Sequence, residues 1–402
     1  MSTSAELIRG WTGPAVLSFG FRPFFFMAGA WAVVAMLLWL PMLTGHLALP
    51  TGFDPVAWHA HEFVFGYTSA VIAGFLLTAV PNWTGRLPVV GWRLGGLAAL
   101  WLAGRLAVAF GALLPSWLVL VADLAMMVAL ALFLGREIVA GKNWRNLPVL
   151  GLLLLFLLAN AVFHAESWRG DVASDGFGLR FGLAAVLMLI GLIGGRIIPS
   201  FTRNWLAQRR ATRLPVPFGR ADGAVMALTG LALAGFVALP LHPLTAALCG
   251  LAGLAQLWRL SRWQGGQTGA EPLLWVLHLA YAFYALGFLS VAAAAVDWLP
   301  QAGARHVWLA GAIGLMTLAV MTRASLGHAG RPLHAGPWVA ACYVALALAV
   351  VTRFASGLMP AEVWLLHLSA GFWLLAFGGF AVIYAPILLL PRAARKQAMR
   401  RA

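Results

Sequence analysis

Long apolar runs, separated by short polar or Pro/Gly-rich connections, fill the chain from residue 21 to residue 390. A helix needs about 20 apolar residues, at about 1.5 Å rise each, to cross the hydrocarbon core of a bilayer. On that measure the pattern predicts twelve transmembrane helices, near 21–43, 55–80, 92–112, 116–138, 147–166, 178–200, 221–240, 243–263, 272–296, 304–325, 337–357 and 361–390. The short alternating segments of a membrane-spanning β-barrel are missing. Tight turns such as Leu114-Pro115-Ser116 and Pro240-Leu241-His242-Pro243 join some helices, and no hydrophilic domain is inserted. The expectation is an all-α polytopic membrane protein, one transmembrane domain over residues 1–402. Residues 1–20 are too polar for a signal-peptide core, so the first apolar run reads as a retained signal-anchor helix.

Composition agrees. With 62% hydrophobic and 10% charged residues, and a mean hydropathy of +0.88, the chain is far from a soluble globular protein, where about a quarter of residues are charged. A net charge of +15 would fit a nucleic-acid partner, but its distribution is topological. On the twelve-helix reading, 21 Lys and Arg residues fall in the two termini and the even-to-odd loops. Only Arg169, Arg180, Arg305 and Arg353 fall on the other side, while Arg105 and Arg196 lie within helices. The positive-inside rule then puts both termini in the cytoplasm, and no nucleic acid is needed. Cys249 and Cys342 sit in apolar runs and form no disulfide framework.

Ionisable groups inside a membrane are rare unless they are used. Trp58-His59-Ala60-His61-Glu62 opens helix 2, with Asp54 as its cap and Pro55 in its first turn. Helices 10 and 12 start on the same, extracytoplasmic side and carry His306 and His367 near that rim. At helical spacing His59, His306 and His367 each head a face of small residues: Gly66-Ser69-Ala73, Ala310-Gly314 and Gly371-Gly378. Plain helix packing explains any one such stripe, but three imidazoles on one rim favour a cofactor lying against backbone. His61 heads a bulkier face and points about 200° from His59. Either one of the two is a ligand and the other structural, or they serve two centres.

Glu62 is placed to orient His59 as a supporting carboxylate, or to reach the interface as a free acid. Imidazole suits haem iron, copper and zinc, so His59, His61, His306 and His367 form the candidate ligand set. The competing reading is four imidazoles reaching into headgroups. His278, with Tyr281 one turn on, and His328 make a candidate second metal site at the cytoplasmic side, and Arg196 a candidate partner for a propionate. His46, His164, His242 and His334 read as solvated residues in loops or at helix ends. No phosphate-binding glycine loop, nucleophile elbow or metalloprotease helix is present.

A short echo links Pro81-Asn82-Trp83-Thr84-Gly85-Arg86, Pro199-Ser200-Phe201-Thr202-Arg203-Asn204 and Thr322-Arg323, at the ends of helices 2, 6 and 10. Three four-helix repeats would produce that spacing. The segments Phe21-Arg22-Pro23-Phe24-Phe25, Trp58-His59-Ala60-His61-Glu62 and Gly74-Phe75-Leu76-Leu77-Thr78-Ala79-Val80-Pro81-Asn82-Trp83-Thr84-Gly85 resemble the NnrS family. So do Pro199–Asn204 and the helix-10 segment from His306 to His328. That resemblance implies an inner-membrane protein of bacteria containing haem, b-type, and copper, linked to nitric oxide, nitrosative stress and denitrification.

A weaker resemblance is to subunit I of the haem-copper oxidases, whose low-spin haem hangs from histidines on helices 2 and 10. The copper ligands of that group lie on helices 6 and 7, and residues 178–240 contain no histidine here. His367 is then a candidate replacement ligand, and catalysis stays open. The expected partners are the lipid bilayer, nitric oxide as ligand and a respiratory electron-transfer protein. Two other functions compete: a twelve-helix secondary transporter, and a membrane chaperone delivering haem or copper to a respiratory reductase.

Overall fold

A computed structural model describes residues 6, 8 and 10–391. Arg9 and the basic tail from Arg392 onward, counted above for topology, lie outside the described residues. The described residues contain helix and no strand. The long helices are α1 (Phe21–Leu43), α2 (Pro55–Thr84), α3 (Trp92–Ala109), α4 (Ser116–Ala140), α5 (Trp144–Trp168) and α6 (Phe177–Gln208). They continue with α7 (Arg220–Ala238), α8 (Pro243–Ser261), α9 (Pro272–Ala294), α10 (Gln301–His328), α11 (Pro337–Leu358) and α12 (Val363–Leu389).

Ten of these are long and apolar enough to cross a membrane. The other two, α3 and α8, occupy the predicted spans 92–112 and 243–263 but are less apolar. Arg93 and Arg105 lower the hydropathy of α3, and Gln256 and Arg259 that of α8. These polar residues lie along helices whose other positions are apolar, so the question is what they face.

Three helices form the centre. The apolar windows of α2, α6 and α10 are 83%, 67% and 78% buried inside the protein, against 33–56% for the other candidate spans. The same three share a backbone feature. Each changes from α- to π-helical winding for about a turn, at Glu62–Tyr67, Ile190–Gly194 and Val307–Gly314. Such turns weaken the regular ladder, so the loosened carbonyls need other donors. Trp101 Nε1–H of α3 donates to the Gly66 carbonyl at 3.0 Å, and Ser69 Oγ–H to the same oxygen at 2.8 Å. On α6, Arg259 Nη1 of α8 donates to the Gly191 carbonyl at 3.2 Å. Side chains of α3 and α8 therefore tie these outer helices to the loosened turns of α2 and α6. The Trp373 indole of α12 donates to the Ala32 carbonyl of α1 at 3.0 Å, where the last helix closes on the first.

Candidate metal and cofactor site

The start of α2 is fixed by its cap: Asp54 Oδ1 accepts from the N–H of Val56 at 2.8 Å and of Ala57 at 3.0 Å. Pro55 occupies the first turn, where its missing N–H is not needed. This sets the azimuth of the next two turns. His59 and His61 leave α2 in different directions, each into its own group of polar residues.

His59 enters a cavity of about 440 Å³ between α1, α2, α6, α10, α11 and α12. His306 of α10 lines the same cavity. The two imidazole centroids lie 6.4 Å apart, with planes 13° from parallel. His306 Nδ1 is 2.6 Å from the Ala302 carbonyl, which can only accept, so Nδ1 carries the proton and Nε2 keeps its lone pair. His59 is stacked on Trp39 at 4.0 Å, and its Nδ1 is buried without a hydrogen-bond partner among the described residues. Arg305 and Arg353 line the cavity among Trp39, Phe63, Tyr67, Leu309 and Trp373. Arg305 is ion-paired to Asp175, whereas Arg353 makes no salt bridge among the described residues.

His61 turns the other way, into a fully buried polar cluster. Its Nδ1 is 3.1 Å from Glu62 Oε1, and its Nε2 is 3.0 Å from both Asp123 Oδ2 of α4 and Asn160 Oδ1 of α5. His164, one turn after Asn160, brings Nε2 to 3.1 Å from the same Asp123 oxygen, and Asn160 Nδ2 donates to it at 2.7 Å. Arg105 of α3 spans the two carboxylates. It donates to Glu62 Oε1 at 2.7 Å and Oε2 at 2.8 Å, and to Asp123 Oδ1. The Trp31 indole completes Glu62 at 2.7 Å. Two carboxylates face one guanidinium, and His61 lies between them with one ring nitrogen at each, so that as an imidazolium it balances the second buried charge. The ligand atoms of His61, Asp123 and His164 lie within 4.8 Å of one another, close enough to share one metal ion.

Several expectations need correction. Glu62 does not orient His59; it serves His61, Arg105 and Trp31. The small face Gly66-Ser69 lies against Arg105 and Trp101 rather than a cofactor, because the π turn shifts the register, and Phe63 and Tyr67 follow His59 into the cavity instead. His367 is exposed on α12 and is not among the residues lining the cavity, and Gly371 and Gly378 below it face open space. His164, read as solvated, is 1% exposed within the cluster.

At the opposite rim Arg196 lines a different cavity of about 740 Å³, together with Arg145, Arg323 and His328. His278 does not line it; its Nε2 meets Thr202 Oγ1 at 2.9 Å. Tyr281 bonds Gln256 at 2.7 Å and Arg259 at 2.9 Å rather than supporting His278. His242 caps α8 through Leu244 N–H, and His334 pairs with Glu271 at 2.9 Å.

Asp123, Asn160, His164 and Arg353 were not singled out from sequence as site residues. Signals for them existed. Asp123 is a carboxylate inside an apolar run, and Asn160 and His164 share a helix face at i, i+4. The family model described as NnrS protein matches residues 15–392 of this chain. No curated protein matches the chain.

Proposed function

Because the chain belongs to the NnrS family, we propose that it is a haem- and copper-binding protein of the bacterial inner membrane that handles nitric oxide under nitrosative stress. The observation that carries this reading is the pair of near-parallel imidazoles facing one cavity. Metal–imidazole bonds are about 2.0–2.1 Å long, so rings with centroids 6.4 Å apart are at a spacing suited to flanking one metal. His59 and His306 would hold the iron, and Arg305 and Arg353 would pair with the carboxylates of the macrocycle. The haem is b-type, since Cys249 and Cys342 line no part of this cavity and belong to no haem-attachment motif. Bound haem supplies a redox-active iron that ligates small gases.

The two imidazoles are held unequally. The Ala302 carbonyl fixes the tautomer and orientation of His306, as supporting acceptors commonly do for ligating histidines. Among the described residues, His59 Nδ1 has no such partner. With haem bound, His306 would be the firmly held ligand and His59 the less constrained one. The buried His61, Asp123 and His164 group is the copper site, with Glu62 and Arg105 holding it in place. Three donors already converge on Asp123 Oδ2, so His61, Asp123 and His164 would have to release protons to hold a metal.

In this reading α3 and α8 also cross the membrane, with both termini cytoplasmic and the histidine rim outside. The recurrence of a π turn on every fourth helix supports three four-helix repeats. A respiratory electron-transfer protein supplies the electrons. The test is an optical spectrum and metal analysis of the purified protein, oxidised and reduced, with and without nitric oxide. A reducible Soret band and bound iron are expected. A colourless, iron-free protein from haem-replete cells would overturn the reading.

A further inference from the structure

A line of cavities follows the three central helices. The imidazole cavity lies at one rim, and the cavity of about 740 Å³ bordered by Arg145, Arg196 and Arg323 lies at the other. Between them is a smaller, partly open chamber of about 90 Å³, walled by α2, α6 and α10. Phe75, Ile193, Ile197 and Val320 line both this chamber and the large cavity, so the two adjoin. On its other side the chamber wall meets the wall of the imidazole cavity in a polar contact. Tyr67 lines the imidazole cavity, Thr317 lines the chamber, and their hydroxyls meet at 2.7 Å.

The chamber is lined by aliphatic and aromatic side chains apart from two threonines and Gly194. Thr68 Oγ1 donates to the Phe63 carbonyl at 3.0 Å, and Thr317 is taken up by Tyr67 and by the Ile313 carbonyl at 2.7 Å. A buried water needs two to four polar partners, whereas dry apolar cavities accept small apolar solutes such as xenon. The lining disfavours ions, and a space of about 90 Å³ takes a small solute. A small, uncharged, weakly solvated molecule fits both limits.

We propose that this line of cavities is a passage for an uncharged diatomic gas between the arginine-bordered rim and the imidazole cavity, with the Tyr67–Thr317 contact as its gate. The function of the passage rests on the haem reading above; its existence does not. The test has two arms. Crystals pressurised with xenon should show a xenon site among Phe75, Ile193 and Val320 in the wild type, and none in Ile193→Trp. In haem-loaded protein, flash photolysis with carbon monoxide as the probe should show bimolecular association at least tenfold slower in Ile193→Trp, and faster in Thr317→Val. Val320→Phe blocks the same neck should Ile193→Trp fail to fold. No xenon in the wild-type chamber would overturn the passage. Xenon in the chamber with an unchanged association rate in the blocked variant would overturn it too, since the gas then enters elsewhere. Xenon in the chamber of a protein that cannot take up haem would support the passage and overturn the haem reading.

Discussion

Arg105 is the residue whose removal tests the buried cluster most directly. Its guanidinium, 2% exposed, makes two bonds to Glu62 and one to Asp123 in a space closed to water. Replacing it with Gln removes three charge-assisted bonds, each worth about 1.5–3 kcal/mol, a gross loss of about 5–9 kcal/mol. Part of that is recovered. Glu62 keeps Trp31 and His61, and Asp123 keeps Asn160 and His164. The expected net cost is the roughly 3–5 kcal/mol typical of removing one partner from a buried ion pair.

The assay is equilibrium unfolding in mixed micelles titrated with sodium dodecyl sulfate, followed by circular dichroism. Arg136→Gln serves as the control, since its side chain is 76% exposed beside Glu137. The variant combining Arg105→Met with Glu62→Gln and Asp123→Asn should lose less than Arg105→Gln alone, because no uncompensated charge remains. A loss below about 1 kcal/mol for Arg105→Gln, the range of a surface pair, would refute the reasoning. The carboxylates would then be hydrated rather than held in a buried ion-pair network.

Other consequences can be checked separately. His306→Ala should abolish haem retention, whereas His59→Ala should keep a haem spectrum in altered form and bind carbon monoxide faster; His242→Ala and His367→Ala should match the wild type in absorption spectra of purified protein. His164→Ala should lower bound copper by elemental analysis while leaving the Soret band intact. Copper affinity in the wild type should fall as pH falls, because the ligands must release protons to bind metal. Gly66→Ala should destabilise by about 1–3 kcal/mol in the same unfolding assay, since its methyl would sit 2.4 Å from Arg105 Nη1 and 2.7 Å from Glu62 Oε2. Gly371→Ala, whose methyl meets nothing within 4 Å, should be neutral or stabilising.

The sequence alone determined the solvent, the fold class and the family. Apolar runs of bilayer length admit few structures other than helices, because each backbone group must find its partner inside its own segment. The punctuation of α2 by Asp54 and Pro55, and the Trp58–Glu62 motif at its head, were legible for the same local reasons. His59 and His61 pointing apart also follows from helical geometry.

Tertiary structure decided which polar residues meet. Periodicity on an ideal helix assigned Glu62 and Gly66 to the face of His59. The π turn at Glu62–Tyr67 breaks that periodicity, and no short-range signal in an apolar stretch announces it. The partners of His61 come from α3, α4 and α5, at separations of 62 residues for Asp123 and 99 for Asn160. Only packing brings those helices together. His367 shows the converse: it starts at the same rim in sequence, yet the rotation of α12 against α1 and α11 leaves it exposed. Depth along a helix can be read from residue number, but azimuth around the bundle depends on every neighbour at once, and that determines which histidines form a site.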